Sequence, residues 1–373
     1  MTRRRLTYCG NVHAAETFET WIESVEDFSV AIAAGRQQPF GLGAWWNAST
    51  ARRLAHDETA RHRVRSLLDD HGLTIWTLNV FPYGEFHAGR VKTEVYRPDW
   101  SSTERLDYTR HAAEALGGLL SPGASIPLST LPLGYAEGDL HAMAENLAQV
   151  AGTLADIEAR TGVHQILLLE PEPFCLVETV GQAAAFLEDR LFESGDGSLP
   201  EDVLRRHLGV CVDLCHLAVV GEDPLLAMAD LSSRGIRFDK IQLSSCLEVR
   251  DPATGLDRLL AFDEPRYLHQ TVSADGKRAL DLDEVRSARQ DWEGAESIRT
   301  HFHMPLFWDE EGAFGSTRRE VERVIRGLED PMPLLEIETY TWSVLGDLEM
   351  ESGGLVDGIR REFAFVDGLL DGE

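Results

Sequence analysis

Long apolar runs are missing from this chain of 373 residues. No stretch approaches the ~18 apolar residues of a spanning helix, so no membrane span is expected. The opening MTRRRLTYCGNVH carries charge with no apolar segment behind it, which argues against a signal peptide. Cysteine is sparse: Cys9, Cys175, Cys211, Cys215 and Cys246 form no C-x-x-C pair. Free thiols in a reducing cytoplasm are therefore expected, rather than a disulfide framework. Lysine is almost absent, with Lys92, Lys240 and Lys277 the whole complement. A Schiff-base aldolase needs a desolvated lysine at its active site. Lys240 alone lies on a strand-like run, but it opens that run and should sit low in a sheet, away from its functional end. Internal repeats, low-complexity tracts, a P-loop, G-x-S-x-G and H-E-x-x-H are all lacking, which removes the chemistries those motifs carry.

Positive charge is also scarce. Thirty-five basic residues face 63 acidic ones, for a formal net charge of −28. Such a surface repels phosphate backbones and anionic lipid, so nucleic acid is not an expected partner. A small phosphorylated substrate held by local arginines or a metal stays compatible with it. Apolar residues at 43% and charged residues at 26% mark an ordinary soluble globular protein.

What is present is a rhythm of short apolar runs separated by amphipathic stretches. The runs are LTYCGNVH (6–13), FGLGAWWN (40–47), LTIWTLNVFPYG (73–84), ASIPLSTLPLG (124–134), HQILLLEPEP (164–173), LGVCVDLCH (208–216), FDKIQLSS (238–245), IRTHFHMPLF (298–307) and PLLEIETYTW (333–342). Helical spacing marks 106–120, 140–162 and 180–192, while 61–72 ends on a capping glycine and 316–328 opens with Ser316 as N-cap. Apolar strands alternating with helices imply a parallel sheet covered on both faces. The rhythm spans the chain without a break, so residues 1–373 are read as one α/β domain, a single (β/α)8 TIM barrel. A doubly wound sheet would open with a phosphate loop, of which Gly41-x-Gly43 is only a fragment. Nine runs compete for eight places. The stretch 246–297 looks irregular and is read as a lid-like excursion over the barrel mouth.

In such a barrel the C-terminal strand ends form the active site. Polar residues gather there: Asn11 and His13, Asn79, Glu170 and Glu172, Asp213 and His216, Gln242, His301 and His303, and Glu336 and Glu338. A carboxylate directly after Leu167-Leu168-Leu169 is poorly solvated unless something neutralises it. Asp213, after Cys211-Val212, is in the same position. Several acids, a histidine and an amide oxygen converging on one rim require a cation among them. Oxygen ligands with one imidazole suit Mn²⁺, Mg²⁺, Co²⁺ or Zn²⁺. Period-two spacing places His301 and His303 on one face. Trp45, Trp46, Tyr83, Phe86, Trp308, Tyr340 and Trp342 follow strand ends; some would stack on a ligand and at least half anchor loops.

These motifs resemble the xylose-isomerase-like TIM-barrel superfamily of sugar and sugar-phosphate isomerases and epimerases. In that pattern a strand ends in Glu, the next ends D-x-x-H, a later strand carries a ligand His, and the last ends in Glu. The resemblance implies that Glu170, Asp213, His303 and Glu338 bind one divalent metal and that His216 holds a substrate oxygen. KIQLSS also falls where the ligand-bearing strand would, so Gln242 competes with His303, and Glu336 with Glu338. The chain further resembles the metabolite-traffic proteins of the ebo gene cluster, through LTYCGNVH, NVFPYGEFH, VKTEVYRPDW, LEPEPFCLVET, VDLCHLAV, HFHMPLF and LEIETYTW. That resemblance implies a role in making or moving a secondary metabolite.

The resulting expectation is a metal-dependent isomerase or epimerase in which Glu170, Glu338 and His216 are catalytic. Asn11, His13, Asn79, His87, Glu172, His301 and Trp308 would contact a polyhydroxylated or prenyl-type substrate, and homodimer formation is left open. Two alternatives are carried. One is a hydrolase needing two or three metals, with His13 and His87 as extra ligands. The other is a protein that binds a metabolite without turning it over.

Overall fold

In a computed structural model of the chain, residues 4–36, 38–84, 86–87, 91–193, 199–343 and 354–372 are described. In chain order the strands are β1 (Leu6–Tyr8), β2 (Leu42–Trp45), β3 (Ile75–Asn79), β4 (Ser125–Thr130), β5 (His164–Leu169), β6 (Leu208–Val210), β7 (Val212–Asp213) and β8 (Lys240–Leu243). They continue as β9 (Ser245–Val249), β10 (Thr271–Ser273), β11 (Arg278–Ala279), β12 (Ile298–Met304), β13 (Glu310–Glu311), β14 (Phe314–Ser316) and β15 (Leu334–Ile337).

Eight of the nine apolar runs supply parallel strands. One sheet has the order β2-β3-β4-β5-β6, another β1-β15-β8-β7. β6 and β7 are two halves of a single run, and a parallel bridge between Cys9 and Gly43 ties the end of β1 to β2. β5 is buried at every residue, as a strand covered on both faces must be. The intervening helices start and stop where their caps dictate. Asp57 accepts from the amides of Thr59 and Ala60 to open Glu58–His71, which Gly72 ends in the left-handed conformation at φ 62°. Asp139 and Gly162 do the same for Leu140–Thr161. Ser316 stands one residue before the N-cap position: it ends β14, donates to the Trp308 carbonyl and accepts from the Arg318 amide at 3.3 Å, the first of the helix Arg318–Gly327.

The ninth run and the supposedly irregular stretch explain each other. IRTHFHMPLF forms β12, which pairs antiparallel with β9 in a side sheet of order β11-β10-β12-β9-β14-β13. Only Ser244 separates β8 from β9, so a strand of the parallel set runs past the rim and seeds the second sheet. Residues 246–297 are therefore ordered, with β10, β11 and the helices Pro252–Ala261, Leu282–Ser287 and Arg289–Glu293. They share a second apolar core built around Leu247, Leu256, Leu282, Ile298, Phe302 and Phe314.

Candidate metal centre

Three carboxylates reach one rim because of where their strands stop. Glu170 directly follows β5, and its amide donates to the Thr130 carbonyl at 2.9 Å. Asp213 ends β7 and caps the helix Leu214–Val220: its Oδ1 accepts from the His216 amide at 2.8 Å and from Ser244 Oγ at 2.9 Å. The D-x-x-H spacing is thus first a capping geometry, and it aims both side chains at the same place. Glu338 lies just beyond β15; its amide donates to the Leu243 carbonyl and its Oε1 accepts from Asn11 Nδ2 at 2.8 Å. His301 and His303 arrive from the side sheet. The β12–β9 register shifts between Thr300 and His303, and this bulge turns the two imidazoles toward the rim while Phe302 stays in the second core.

Each carboxylate keeps an oxygen unserved. Glu170 Oε2, Asp213 Oδ2 and Glu338 Oε2 are buried and have no hydrogen-bond partner among the described residues. Burial, together with Glu338 and Asp213, drives the Glu170 carboxyl well above its ordinary range. Burial, Asp213 and Glu336 do the same to Glu338. Burial opposes charge on Asp213 as well, but His216, His303 and the His216 amide outweigh it and hold its carboxyl low.

The histidine tautomers follow from their acceptors. His216 Nδ1 lies 2.9 Å from the Pro171 carbonyl and His303 Nδ1 lies 2.8 Å from the Glu338 carbonyl. A carbonyl cannot donate, so each Nδ1 carries a proton, and each ring in its neutral form presents a bare Nε2. For His301 the partner is Gln270 Oε1 at 2.7 Å. The amide orientation is fixed because Gln270 Nε2 donates to Glu172 Oε1 at 3.2 Å and to Tyr96 Oη at 3.1 Å. His301 is thereby also protonated on Nδ1. Its Nε2 lies 3.1 Å from His216 Nε2 and 3.0 Å from His303 Nε2. Three lone pairs meet, and burial with the neighbouring imidazoles pushes the His301 pKa down, against an extra proton. His303 is lowered to about 4, chiefly by burial. Ligand atoms of Asp213, His216 and His303 lie within 4.8 Å of one another, as do those of Glu172, His216 and His301. Unserved carboxylate oxygens beside bare imidazole nitrogens fit a divalent cation.

Most of the expected residues come together. Asn11, Asn79, Glu170, Glu172, His216, His301, His303 and Glu338 line one cavity that opens to solvent. Asp213 lies just behind it, fully buried. Others are elsewhere. His13 bonds Tyr8 Oη at 2.9 Å and stacks on Phe28, behind β1. His87 Nε2 bonds the Asn11 carbonyl at 2.6 Å and so supports a lining residue without lining the cavity itself. Trp308 is buried in the second core. Gln242 lies in the interior with its Oε1 facing Cys211 Sγ at 3.2 Å. Glu336 is spoken for by Lys240 Nζ at 2.5 Å, both side chains being wholly buried; that leaves Glu338 as the acid of the rim. Of the aromatics, Phe86 and Tyr340 line the cavity, while Trp45 and Trp46 are buried anchors. Sequence reasoning missed Gln270 and Tyr96, whose only signal is spatial. All five cysteines are free. Two further acid–histidine groups have partners of their own: Glu158 pairs with Arg206, and Asp281 with Lys92.

The xylose isomerase-like TIM-barrel family model matches residues 40–264. The chain belongs to that family. Among solved structures it resembles the IOLI protein described with a binding zinc atom, at 11% identity and a TM-score of 0.52, covering 99% of this chain and 100% of that one. A D-psicose 3-epimerase in the presence of D-fructose is similar at 14% identity and a TM-score of 0.47, covering 99% and 100%. A xylose isomerase domain containing protein from Salmonella typhimurium follows at 13% identity and a TM-score of 0.45, covering 99% and 97%. At these identities the likeness concerns fold alone. No curated protein sequence matches the chain. No helix among the described residues is long and apolar enough to cross a membrane.

Proposed function

We propose that the chain is a divalent-metal-dependent isomerase or epimerase acting on a polyhydroxylated small molecule. The observation that carries this reading is the set of three buried, unserved carboxylate oxygens beside imidazoles whose bare nitrogens face the same space. Glu170, Asp213, His303 and Glu338 would hold the cation. When bound, it supplies Lewis acidity toward a carbonyl and the neighbouring hydroxyl, easing loss of the proton between them. Glu170 and Glu338, whose carboxylates line the same cavity, would be the groups that move that proton. His216, anchored on Pro171, offers Nε2 as acceptor to a substrate hydroxyl. Glu172 is pinned by Tyr96 at 2.5 Å and by Gln270, ready to accept from another. Segment 246–297 supplies Tyr267, Leu268 and Gln270 to the cavity, the contribution of a lid. The phrases shared with the ebo metabolite-traffic proteins support a place in secondary-metabolite biosynthesis or traffic.

Glu170→Gln and Asp213→Asn should each remove bound metal and turnover while leaving the circular dichroism spectrum unchanged. Full metal content and activity in either variant refutes the assignment. One observation favours a second reading, a metal-dependent hydrolase: the three converging Nε2 atoms could serve an additional cation. Elemental analysis separates the two, since one metal per chain supports the isomerase and two or three the hydrolase.

A further inference from the structure

The cavity is polar at its floor and apolar along its outer wall. Phe81 and Phe86 follow β3, Val91 precedes and Val95 lies within the short turn Lys92–Tyr96, and Tyr267 and Leu268 come from the excursion; all six line the cavity. The wall is built, not incidental. The Val91 and Lys92 amides both donate to the Arg266 carbonyl, at 3.0 and 2.8 Å, which ties two of the three segments together. Phe86 packs on Tyr267 with centroids 5.2 Å apart.

The polar atoms nearest this wall are already committed. Tyr96 Oη donates to Glu172 at 2.5 Å, and Lys92 Nζ is held by Asp281 at 2.5 Å. Asn79 Oδ1 accepts from the Phe81 amide at 2.9 Å. A hydroxyl desolvated against Phe81, Val95 or Leu268 would lose its water and meet apolar carbon, which is costly. A flat apolar group placed there would lose nothing and bury its surface.

We infer that the substrate is bipartite: a hydroxy-carbonyl head on the polar floor and a flat, uncharged apolar substituent against the Phe81–Val95–Leu268 wall. The head rests on the metal-centred reading; the substituent rests on the wall alone. Val95 and Leu268 are then specificity-determining residues.

The test compares four probes by titration calorimetry on the full chain supplied with Mn²⁺: dihydroxyacetone, dihydroxyacetone phosphate, α-hydroxyacetophenone and acetophenone. α-Hydroxyacetophenone should bind about tenfold or more tightly than dihydroxyacetone, the discrimination expected of a buried phenyl ring. The phosphate should give no advantage over dihydroxyacetone. Leu268→Asn and, independently, Val95→Ser should bring the ratio of the two hydroxyketones toward one, in variants whose melting temperatures show that they fold. A ratio near one in the native chain, tightest binding of the phosphate, or a ratio unchanged in both folded variants overturns the inference. So does the absence of α-hydroxyacetophenone binding up to its solubility limit. The hydroxyl's contribution, read as the gap between α-hydroxyacetophenone and acetophenone, should vanish in Glu170→Gln. If the gap is absent or survives that variant while the phenyl preference persists, the metal-centred reading fails and the wall assignment stands.

Discussion

Lys240→Met isolates the cost of one buried charge. In the native chain Lys240 and Glu336 meet at 2.5 Å with neither side chain exposed, and Lys240 also donates to Ser129 Oγ at 3.0 Å. Burial would lower the lysine's pKa, but Glu336 more than compensates and keeps the ammonium charged. Methionine preserves most of the volume and leaves Glu336 alone in the interior. Removing one member of a buried pair costs about 3–5 kcal/mol. Linkage gives an independent figure. An unpaired Glu336 would escape its charge by binding a proton, so its folded pKa would lie above the unfolded value of ~4.3. Burial already raises the Glu336 carboxyl in the native chain against the pull of Lys240; removing Lys240 raises it further, so the variant's deficit grows with pH, by at most about 1.4 kcal/mol per pH unit. Urea unfolding at four pH values between 5 and 8, followed by circular dichroism, measures it. Lys240→Met/Glu336→Gln should recover most of the loss. A deficit below about 1 kcal/mol at pH 7, or one independent of pH, refutes the reasoning.

Glu362 should make stability fall with pH by another route. Burial raises its carboxyl to about 8 despite hydrogen bonds from Thr339 Oγ1 and the Leu306 amide. A raised acid stabilises the fold below its unfolded pKa and loses that contribution as pH climbs to the folded value, here up to about 5 kcal/mol between pH ~4.3 and 8. Glu362→Gln keeps an acceptor for both donors and should flatten this decline in a melting-temperature series; an equally steep decline in the variant contradicts the assignment. Gly43→Ala should destabilise severely, because a Cβ there would lie 2.2 Å from Glu336 Oε1 and 2.3 Å from the Tyr8 carbonyl; a melting temperature equal to that of the native chain would show that the strands can part. Gln270→Leu leaves His301 Nδ1 without its acceptor, at about 1–3 kcal/mol for the unpaired group, and removes one of two donors to Glu172, whose bond from Tyr96 stays. Its imidazole ¹⁵N spectrum should show His301 exchanging between tautomers, whereas an unchanged spectrum would remove Gln270 as the fixing group.

The parts legible in the sequence are those whose signal is local. Glu170 after three leucines and Asp213 three residues before His216 announce strand ends, and strand ends in this architecture are functional. The parts that were not legible depend on tertiary register. β10 and β11 are short antiparallel strands in a region of short helices, where neither a period of two nor one of 3.6 runs long enough to be read. His303 stood out in the sequence as a candidate ligand, yet its strand belongs to the side sheet and not to the parallel set. Gln270 reaches Tyr96 across 174 residues, a separation no window of sequence reports.

The ambiguity between Glu336 and Glu338 has an electrostatic resolution, and it bears on the whole centre. Both acids stand on the same strand run, two residues apart, and both are buried. At the lower level the chain supplies its own cation: Lys240 Nζ lies 2.5 Å from Glu336 Oε2. At the upper level the partners of Glu338 and Asp213 are Asn11, Ser244 and a backbone amide, all neutral donors that leave an oxygen of each acid unserved. The same desolvation acts at both levels, so the same compensation is required at both. Lys240 thus serves as an internal reference for what a buried acid needs here, and the proposed cation would meet the same need at the rim.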